Sequence, residues 1–327
     1  MSSTRRQDAA LLGALFAARG QFVSKRELAR VAKIPTVELE PRLAPYIQAG
    51  YPIQFHPQGI ITLQEPPDIW CAEEIVGRCP RTNSNTPAWD PLLLAETSST
   101  NDVVQNQARK GARAGFLVAA SRQTMGRGRL GRNWESPPDR GLYVSILLRP
   151  DLAMAEAGKL TILSSLATAD AVEAVSGLHP RIKWPNDLVV GKRKLAGLLI
   201  ETEPKGKRMA FAVVGIGLNV RQAAADFSPE LRSHATSIFL ATHQMHRRAD
   251  LLVALLQALE RRLGRPFDEA REAWTANSLT LGQRVTLETA RGQKHGQAIG
   301  LDESGALLLR SNSGEIEIVT AGDMQAH

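Results

Sequence analysis

Gln123-Thr-Met-Gly-Arg-Gly-Arg-Leu-Gly-Arg-Asn-Trp134 decides how the rest of this chain is read. Three glycines (Gly126, Gly128, Gly131) alternate with three arginines (Arg127, Arg129, Arg132). Glycine tolerates positive φ and lets backbone N–H groups come close to a ligand. Arginine adds permanently charged forks that match carboxylate and phosphate oxygens. A solvated basic loop, or a segment that binds single-stranded nucleic acid, has the same composition. The flanks separate these readings. Gly115-Phe-Leu-Val-Ala-Ala-Ser121 and Gly141-Leu-Tyr-Val-Ser-Ile-Leu-Leu-Arg149 are short apolar runs of the kind that form buried strands. A loop between two core strands belongs to a folded domain, which favours a specific anionic ligand.

Working outward, the 327 residues suffice for two or three domains, and 43% hydrophobic against 22% charged residues describes a globular chain. No apolar run approaches the roughly 18 residues of a membrane span. The N-terminus lacks a signal-peptide core, so the expected location is cytoplasmic. Cys71 and Cys79 are the only cysteines and read as free thiols. His243 and His246 stand at helical spacing with no further ligand type beside them, so no metal site is assigned. The net charge of +7 suits an acidic partner without choosing among nucleotide, nucleic acid and protein.

Residues 5–19 repeat apolar positions at helical spacing up to Gly20. Ser24-Lys-Arg-Glu27 has the form of a capping box opening a helix with Leu28 and Val31 inward. A third helix is expected over about 36–49, then a hairpin turning at His56-Pro-Gln-Gly59. That order is the order of a winged helix-turn-helix. The third helix reads poorly as a DNA reader. Pro41 and Pro45 fall inside it at about 3 kcal/mol apiece, and Glu38 and Glu40 oppose a single Arg42. Prolines around Asn83-Ser-Asn-Thr86 mark a linker with one short helix near 69–76. Strands are expected at 92–95, 116–120, 142–148, 181–184, 188–190, 195–201 and 209–220, and helices at 155–175 and 249–263. From Ser278 onward short strands and Gly/Asp/Ser turns fit a small β-barrel.

Four further clusters carry chemistry. Glu96-Thr-Ser-Ser-Thr-Asn101 ends a strand in hydroxyls and an amide, and either caps the next helix or meets a polar ligand there. Lys183-Trp-Pro-Asn-Asp187 gathers a lysine, an amide and a carboxylate around a braced turn. Lys194-Leu-Ala-Gly197 puts a lysine at a strand entry, where a merely solvated lysine is common. Val213-Val-Gly-Ile-Gly-Leu-Asn219 has glycines two apart, without the third of a dinucleotide fingerprint.

Together these clusters resemble the bacterial biotin protein ligases of the biotin-operon-repressor type. The resemblance rests on Ser99-Thr-Asn101, Gln123 with Gly126–Arg132 and Trp134, Lys183–Asp187, Lys194–Gly197 and Gly215–Asn219, in that order and spacing. It implies an α+β chain: a winged helix-turn-helix over residues 1–64, a linker over 65–90, a mixed α/β catalytic domain of the biotin/lipoate ligase type over 91–275, and an SH3-like barrel over 276–327. It implies ATP-dependent formation of biotinyl-5′-AMP with Mg²⁺, followed by transfer of biotin to a lysine of the biotin carboxyl carrier protein of acetyl-CoA carboxylase. Carried over residue by residue, Ser99, Thr100, Asn101, Gln123, Arg127, Gly128, Arg129 and Lys194 would hold biotin. Lys194, Arg129 and Lys183 would be the catalytic cations, and Gly126, Arg132, Trp134, Asn186, Asp187 and Asn219 would face the nucleotide. Promoter DNA through residues 24–64 and a homodimer are further implied partners. Two other readings stand beside it: a ligand-sensing repressor without ligase activity, and a lipoate ligase.

Overall fold

Helices α1 (Ser3–Ala17), α2 (Lys25–Ala32) and α3 (Leu39–Gln48) surround a core of Leu11, Leu12, Leu15, Leu28, Leu39 and Leu43 in the computed structural model. The structure describes residues 2–80, 86–290 and 292–324. Strands β1 (Val23–Ser24), β2 (Ile53–His56) and β3 (Ile60–Leu63) close this unit in the order β1-β3-β2. The Ser24 hydroxyl accepts from the Glu27 N–H at 3.2 Å, as the capping pattern predicts. Val31 departs from its expected inward position and is exposed, because α2 buries only Leu28, Ala29 and Ala32.

The third helix differs from the expectation in two ways. Pro41 lies in the first turn of α3, after a 3-10 turn at Thr36–Glu38, where an amide has no intrahelical acceptor to lose. Only Pro45 is interior. Arg42 is not free to meet a phosphate. Its guanidinium donates to Asp8, Gln7 and Glu38 at 2.9, 3.0 and 3.0 Å, which ties α3 to α1.

The short helix expected near 69–76 runs as α4 (Ala72–Arg78), set by the Cys71 thiol accepting from Glu74 N–H. Asn83-Ser-Asn85 lies outside the described residues. Helix α4 crosses α1 closely enough that a Cβ at Gly13 or Gly77 would overlap the facing backbone. Its Glu74 is fully buried in a charge cluster. Tyr51 donates to it at 2.5 Å, Arg78 at 2.7 Å, and Arg247 with both terminal nitrogens at 3.0 and 3.1 Å. Burial beside Glu74 pushes the Tyr51 phenol well up from its ordinary pKa. The cluster joins the N-terminal unit to the central one.

The central sheet contains β4 (Asp90–Thr97), β5 (Phe116–Gln123), β6 (Gly141–Leu148), β7 (Arg181–Lys183), β8 (Asp187–Val190), β9 (Arg193–Lys205) and β10 (Arg208–Asn219), with α5 (Thr100–Arg109) after β4 and α6 (Ala157–Ser176) after β6. Its order is β4-β5-β6-β10-β9-β8-β7, with only β4 and β5 parallel. Helices α7 (Ile238–Thr242), α8 (Arg248–Leu263) and α9 (Phe267–Asn277) follow. One sheet face, with Val144, Ile146, Val214, Ile216 and Leu198, is buried with residues of α6 and α8. On the other face α5 covers only the end carrying Val118, Leu147, Phe211 and Val213. The seven expected strands are all present and mostly longer. Helices α7 and α9 escape sequence reading because they are short or bury little; α9 buries only Ala270 and Trp274.

The C-terminal sheet has β11 (Arg284–Thr289), β12 (Gly292–Leu301), β13 (Leu307–Arg310), β14 (Ile316–Val319) and β15 (Asp323–Met324), in the order β14-β13-β12-β11-β15. Val285, Leu287, Ala298, Leu307 and Leu309 continue the central core. Among the described residues no helix is long and apolar enough to cross a membrane.

Removing one partner from a buried ion cluster leaves uncompensated charge at a typical cost of about 3 kcal/mol. Glu74→Ala should therefore lower the free energy of unfolding in urea by about that amount. A loss below about 1 kcal/mol, the range of an exposed pair, would show that the cluster does not join the two units.

Candidate functional site

The part of the sheet that α5 leaves uncovered is the floor of a cavity of about 390 Å³. On β10, Gly215, Gly217 and Asn219 share that face, because residues two apart on a strand point the same way. They pair with Ser145, Tyr143 and Gly141 of β6 on one side. On the other, Gly215 and Gly217 pair with Leu199 and Gly197 of β9. The glycines make room. A Cβ at Gly215 would overlap the Asn101 carboxamide, and one at Gly217 would overlap the Trp134 indole. At Gly197 it would lie 3.0 Å from both Trp134 and the Lys194 side chain.

Lys194 reaches this face through a β-bulge. Leu188 pairs with Ala196 and Val189 with Lys194, so Leu195 is the extra residue. The bulge turns Lys194 to the same face as Gly197, three residues on, which regular alternation would forbid. Its Nζ lies 2.7 Å from Asp187 Oδ1 and over the Trp134 ring at 5.4 Å. The Lys194 backbone bonds His234 and Thr236 at 2.7 and 2.9 Å, bringing the 227–235 segment in as a wall.

Buried hydroxyl and amide groups line part of the cavity. Ser99, Thr100, Asn101 and Ser145 are all buried. Thr100 N–H and Oγ1 donate to Gln123 Oε1 at 2.9 and 3.0 Å, and Gln123 Nε2 donates to Ser136 at 3.0 Å. Ser145 Oγ lies 2.7 Å from the Thr100 hydroxyl and donates to Asn101 Oδ1 at 2.5 Å. Asn101 Nδ2 then donates to Glu201 at 2.6 Å. The Ser99 side chain makes no capping bond, so the first turn of α5 is satisfied by Gln123 instead. The Ser-Thr-Asn string therefore does more than cap its own helix.

Three arginines of the loop and Lys194 line the same cavity, each within ion-pair distance of a carboxylate. Arg127 is held bidentately by Asp102 at 2.9 and 2.6 Å, with Glu201 3.6 Å away, and Asp102 keeps its pKa raised. Arg129 lies 3.8 Å from Asp323, and Arg132 donates to the same carboxylate. Burial pulls the Arg129 pKa down, against the pull of Asp323 and Asp187. Trp134 Nε1 is buried against Gly217 without a hydrogen-bond partner.

Every candidate residue from the sequence lines this one cavity except Gly126. Gly126 stands behind the wall, where a Cβ would lie 2.5 Å from the Trp134 carbonyl and 2.9 Å from Ser136 Oγ. Asn186 and Asn219 line the cavity while donating to the backbone of Leu198 and Thr236 at 2.6 and 2.9 Å. Sequence reading missed Ser145, Asp102, Glu201 and Asp323. A serine within the fully buried run of β6 is the signal that marks Ser145. Among the described residues no group of three or more His, Cys, Asp or Glu is placed to hold a metal.

Comparison with known proteins follows the same lines. Residues 93–219 match the model of the Biotin/lipoate A/B protein ligase family, and 280–325 match the biotin protein ligase C-terminal domain. The chain is 34% identical over 228 residues to the bifunctional ligase/repressor BirA of Bacillus subtilis, covering 68% of this chain and 70% of that one. The chain belongs to the biotin/lipoate protein ligase family. This ligase is also 33% identical over 243 residues to the biotin–[acetyl-CoA-carboxylase] ligase of Mycobacterium tuberculosis, covering 72% of its own chain and 89% of the other. Its fold matches the biotin protein ligase from Aquifex aeolicus in complex with biotin and ATP, with a TM-score of 0.62 and 28% identity. That match covers 72% of this chain and 97% of the other.

Adding a methyl group to a filled site costs about 1–3 kcal/mol. Gly215→Ala should destabilise the ligase within that range and displace Asn101 from Glu201, measured by urea unfolding and by a crystal structure of the variant. Unchanged stability with Asn101 in place would show that the bare floor is not required.

Proposed function

We propose that this protein is an ATP-dependent, AMP-forming biotin protein ligase, and that the cavity described above is where biotin is activated. The observation that carries this reading is that one cavity is lined both by a buried network of hydroxyl and amide groups and by the cations Arg129, Lys183 and Lys194. Biotin has a neutral urea at one end and a carboxylate at the other. Ser99, Thr100, Asn101 and Gln123 suit the urea, whose N–H and C=O groups need partners in a closed site. Arg127, Gly128, Arg129 and Lys194 face the carboxylate. Arg132, Trp134, Asn186, Asp187 and Asn219 take the nucleotide, with the Trp134 indole as the flat surface and Gly126 letting the loop close behind it.

The biotin carboxylate attacks the α-phosphate of ATP, giving biotinyl-5′-AMP and pyrophosphate. A lysine of the carboxyl carrier protein of acetyl-CoA carboxylase then attacks the anhydride, releasing AMP. The first step brings two anions together. Lys194, Arg129 and Lys183 offset their repulsion in a site that water leaves, where such charges act most strongly. Mg²⁺ accompanies ATP as the counterion of its phosphates, the mode this ion usually adopts. The arginine loop shields the anhydride from hydrolysis. The buried hydroxyl–amide network argues against lipoate, whose dithiolane has no groups to satisfy it.

The same reading assigns residues 1–64 to a winged helix-turn-helix, 65–90 to the connection, 91–275 to the catalytic domain and 276–327 to an SH3-like barrel, in a cytoplasmic protein. A second role, as a homodimeric biotin-responsive repressor that meets promoter DNA through residues 24–64, draws on the element order of the N-terminal unit. The face of α3 limits it: Glu40, Pro41 and Pro45 are exposed, while Arg42 is engaged with α1. DNA binding should therefore be weak and lost as salt rises, carried by net charge rather than base contacts. A gel shift against the promoter of its own biotin genes tests this. Tight binding that survives physiological salt and excess competitor DNA would restore full repressor function.

Streptavidin blotting of a carrier domain incubated with the protein, biotin and Mg-ATP tests the ligase reading. Lys194→Ala should lower pyrophosphate release from biotin and ATP by about 10²–10³-fold, the usual effect of removing one electrostatic group from a closed site. A loss below about tenfold, or 1.4 kcal/mol, would return Lys194 to a solvated role.

A further inference from the structure

The tip of the arginine loop is held from outside the central sheet. At its base, Gly128 N–H donates to Arg132 O at 2.7 Å and Trp134 N–H to Gly126 O at 2.9 Å, while Arg127 is tied to Asp102. Arg129 and Arg132 instead reach the C-terminal sheet. Arg129 Nη2 donates to the Gly322 carbonyl at 3.2 Å and lies 3.8 Å from Asp323, and Arg132 donates to the other Asp323 oxygen. Between them Leu130 adopts φ 54° with its side chain exposed. A leucine in the left-handed region is a conformation that its surroundings must impose.

Asp323 is placed to impose it. Its side chain is only 13% exposed, and β15 is fixed by pairing Asp323 with Glu288 and Met324 with Leu287 of β11. The Met324 sulfur accepts from Thr280 Oγ1 at 3.7 Å, and Thr280 Oγ1 accepts from Trp184 N–H at 2.9 Å. The C-terminal sheet thus touches both the arginine loop and the Lys183–Asp187 turn. Asp323 and Met324 line the cavity themselves.

We propose that Asp323 is a positioning residue that holds Arg129 and Arg132 over the cavity before substrate arrives, so that the C-terminal unit completes the binding site. This rests on the reading of the cavity as the site of biotin activation. Holding the loop in advance removes an ordering cost from binding. Its loss is felt in substrate affinity more than in the turnover of the filled site.

The test uses the full-length protein and its D323N and D323E variants. Limited trypsin digestion reads the loop directly, through cleavage after Arg127, Arg129 and Arg132. D323N should be cut there at least about tenfold faster, with the KM for biotin in pyrophosphate release raised about tenfold and kcat within about threefold of wild type, the pattern of lost preorganisation. D323E should restore both. R132Q, at a side chain that is 68% exposed and outside the C-terminal core, removes one cleavage site itself, so it is read at Arg127 and Arg129, where cleavage and the KM should move in the same direction by less. Unchanged digestion and KM in D323N would overturn the proposal, as would a lower KM, which would make Asp323 a competitor of the substrate. If the wild type forms no adenylate, the ligase reading fails, while the trypsin comparison still decides whether Asp323 holds the loop.

Discussion

A β-sheet ordinarily covers both faces with side chains, and this one leaves part of a face bare. Gly197, Gly215 and Gly217 lie side by side on β9 and β10, and their missing Cβ atoms make the space that Asn101, Trp134 and Lys194 enter. The rest of the site depends on that gap. The apolar packing of α6 and α8 on the opposite face holds the strands in register, so the bare patch costs the fold no core. Helix α5 ends where the patch begins, which puts its N-terminal residues at the cavity edge. The bulge at Leu195 then aims one lysine into it.

Charge is arranged around this gap with equal economy. Arg127, Arg129, Arg132 and Lys194 each have a carboxylate within ion-pair distance: Asp102, Asp323 and Asp187. The site thus holds its cations in place with little net repulsion among them. The partners come from α5, β15 and β8, so three parts of the chain converge on the cavity. A cation held by a carboxylate in advance loses little rotamer freedom when substrate enters, which is one way a site is organised before binding.

Much of this was legible in the chain itself. All seven central strands follow from apolar runs bounded by glycine and proline, and the five chemical clusters fall on one cavity because each lies at a strand end or on a strand with small residues. What escaped depends on contacts distant in sequence. Asp323 is 191 residues from Arg132 and sits in a two-residue strand that no periodicity marks. Glu201 and Asn101 are 100 apart, and their bond is set by sheet order. Pro41 was misjudged because its effect turns on whether the helix starts at Thr36 or at Leu39, and sequence places helix ends less surely than helices. Arg42 looked available because its partners Asp8 and Gln7 belong to another helix.

The central claim is that a buried hydroxyl–amide network in the cavity selects a urea head, while the cations that line the same cavity activate its carboxylate with ATP. Pyrophosphate release measured with Mg-ATP and either biotin or lipoate, alone and in competition, tests it most directly. The account predicts release with biotin, none above background with lipoate, and no inhibition of the biotin reaction by lipoate in excess. Equal release with lipoate, or lipoate competing on even terms, would contradict it.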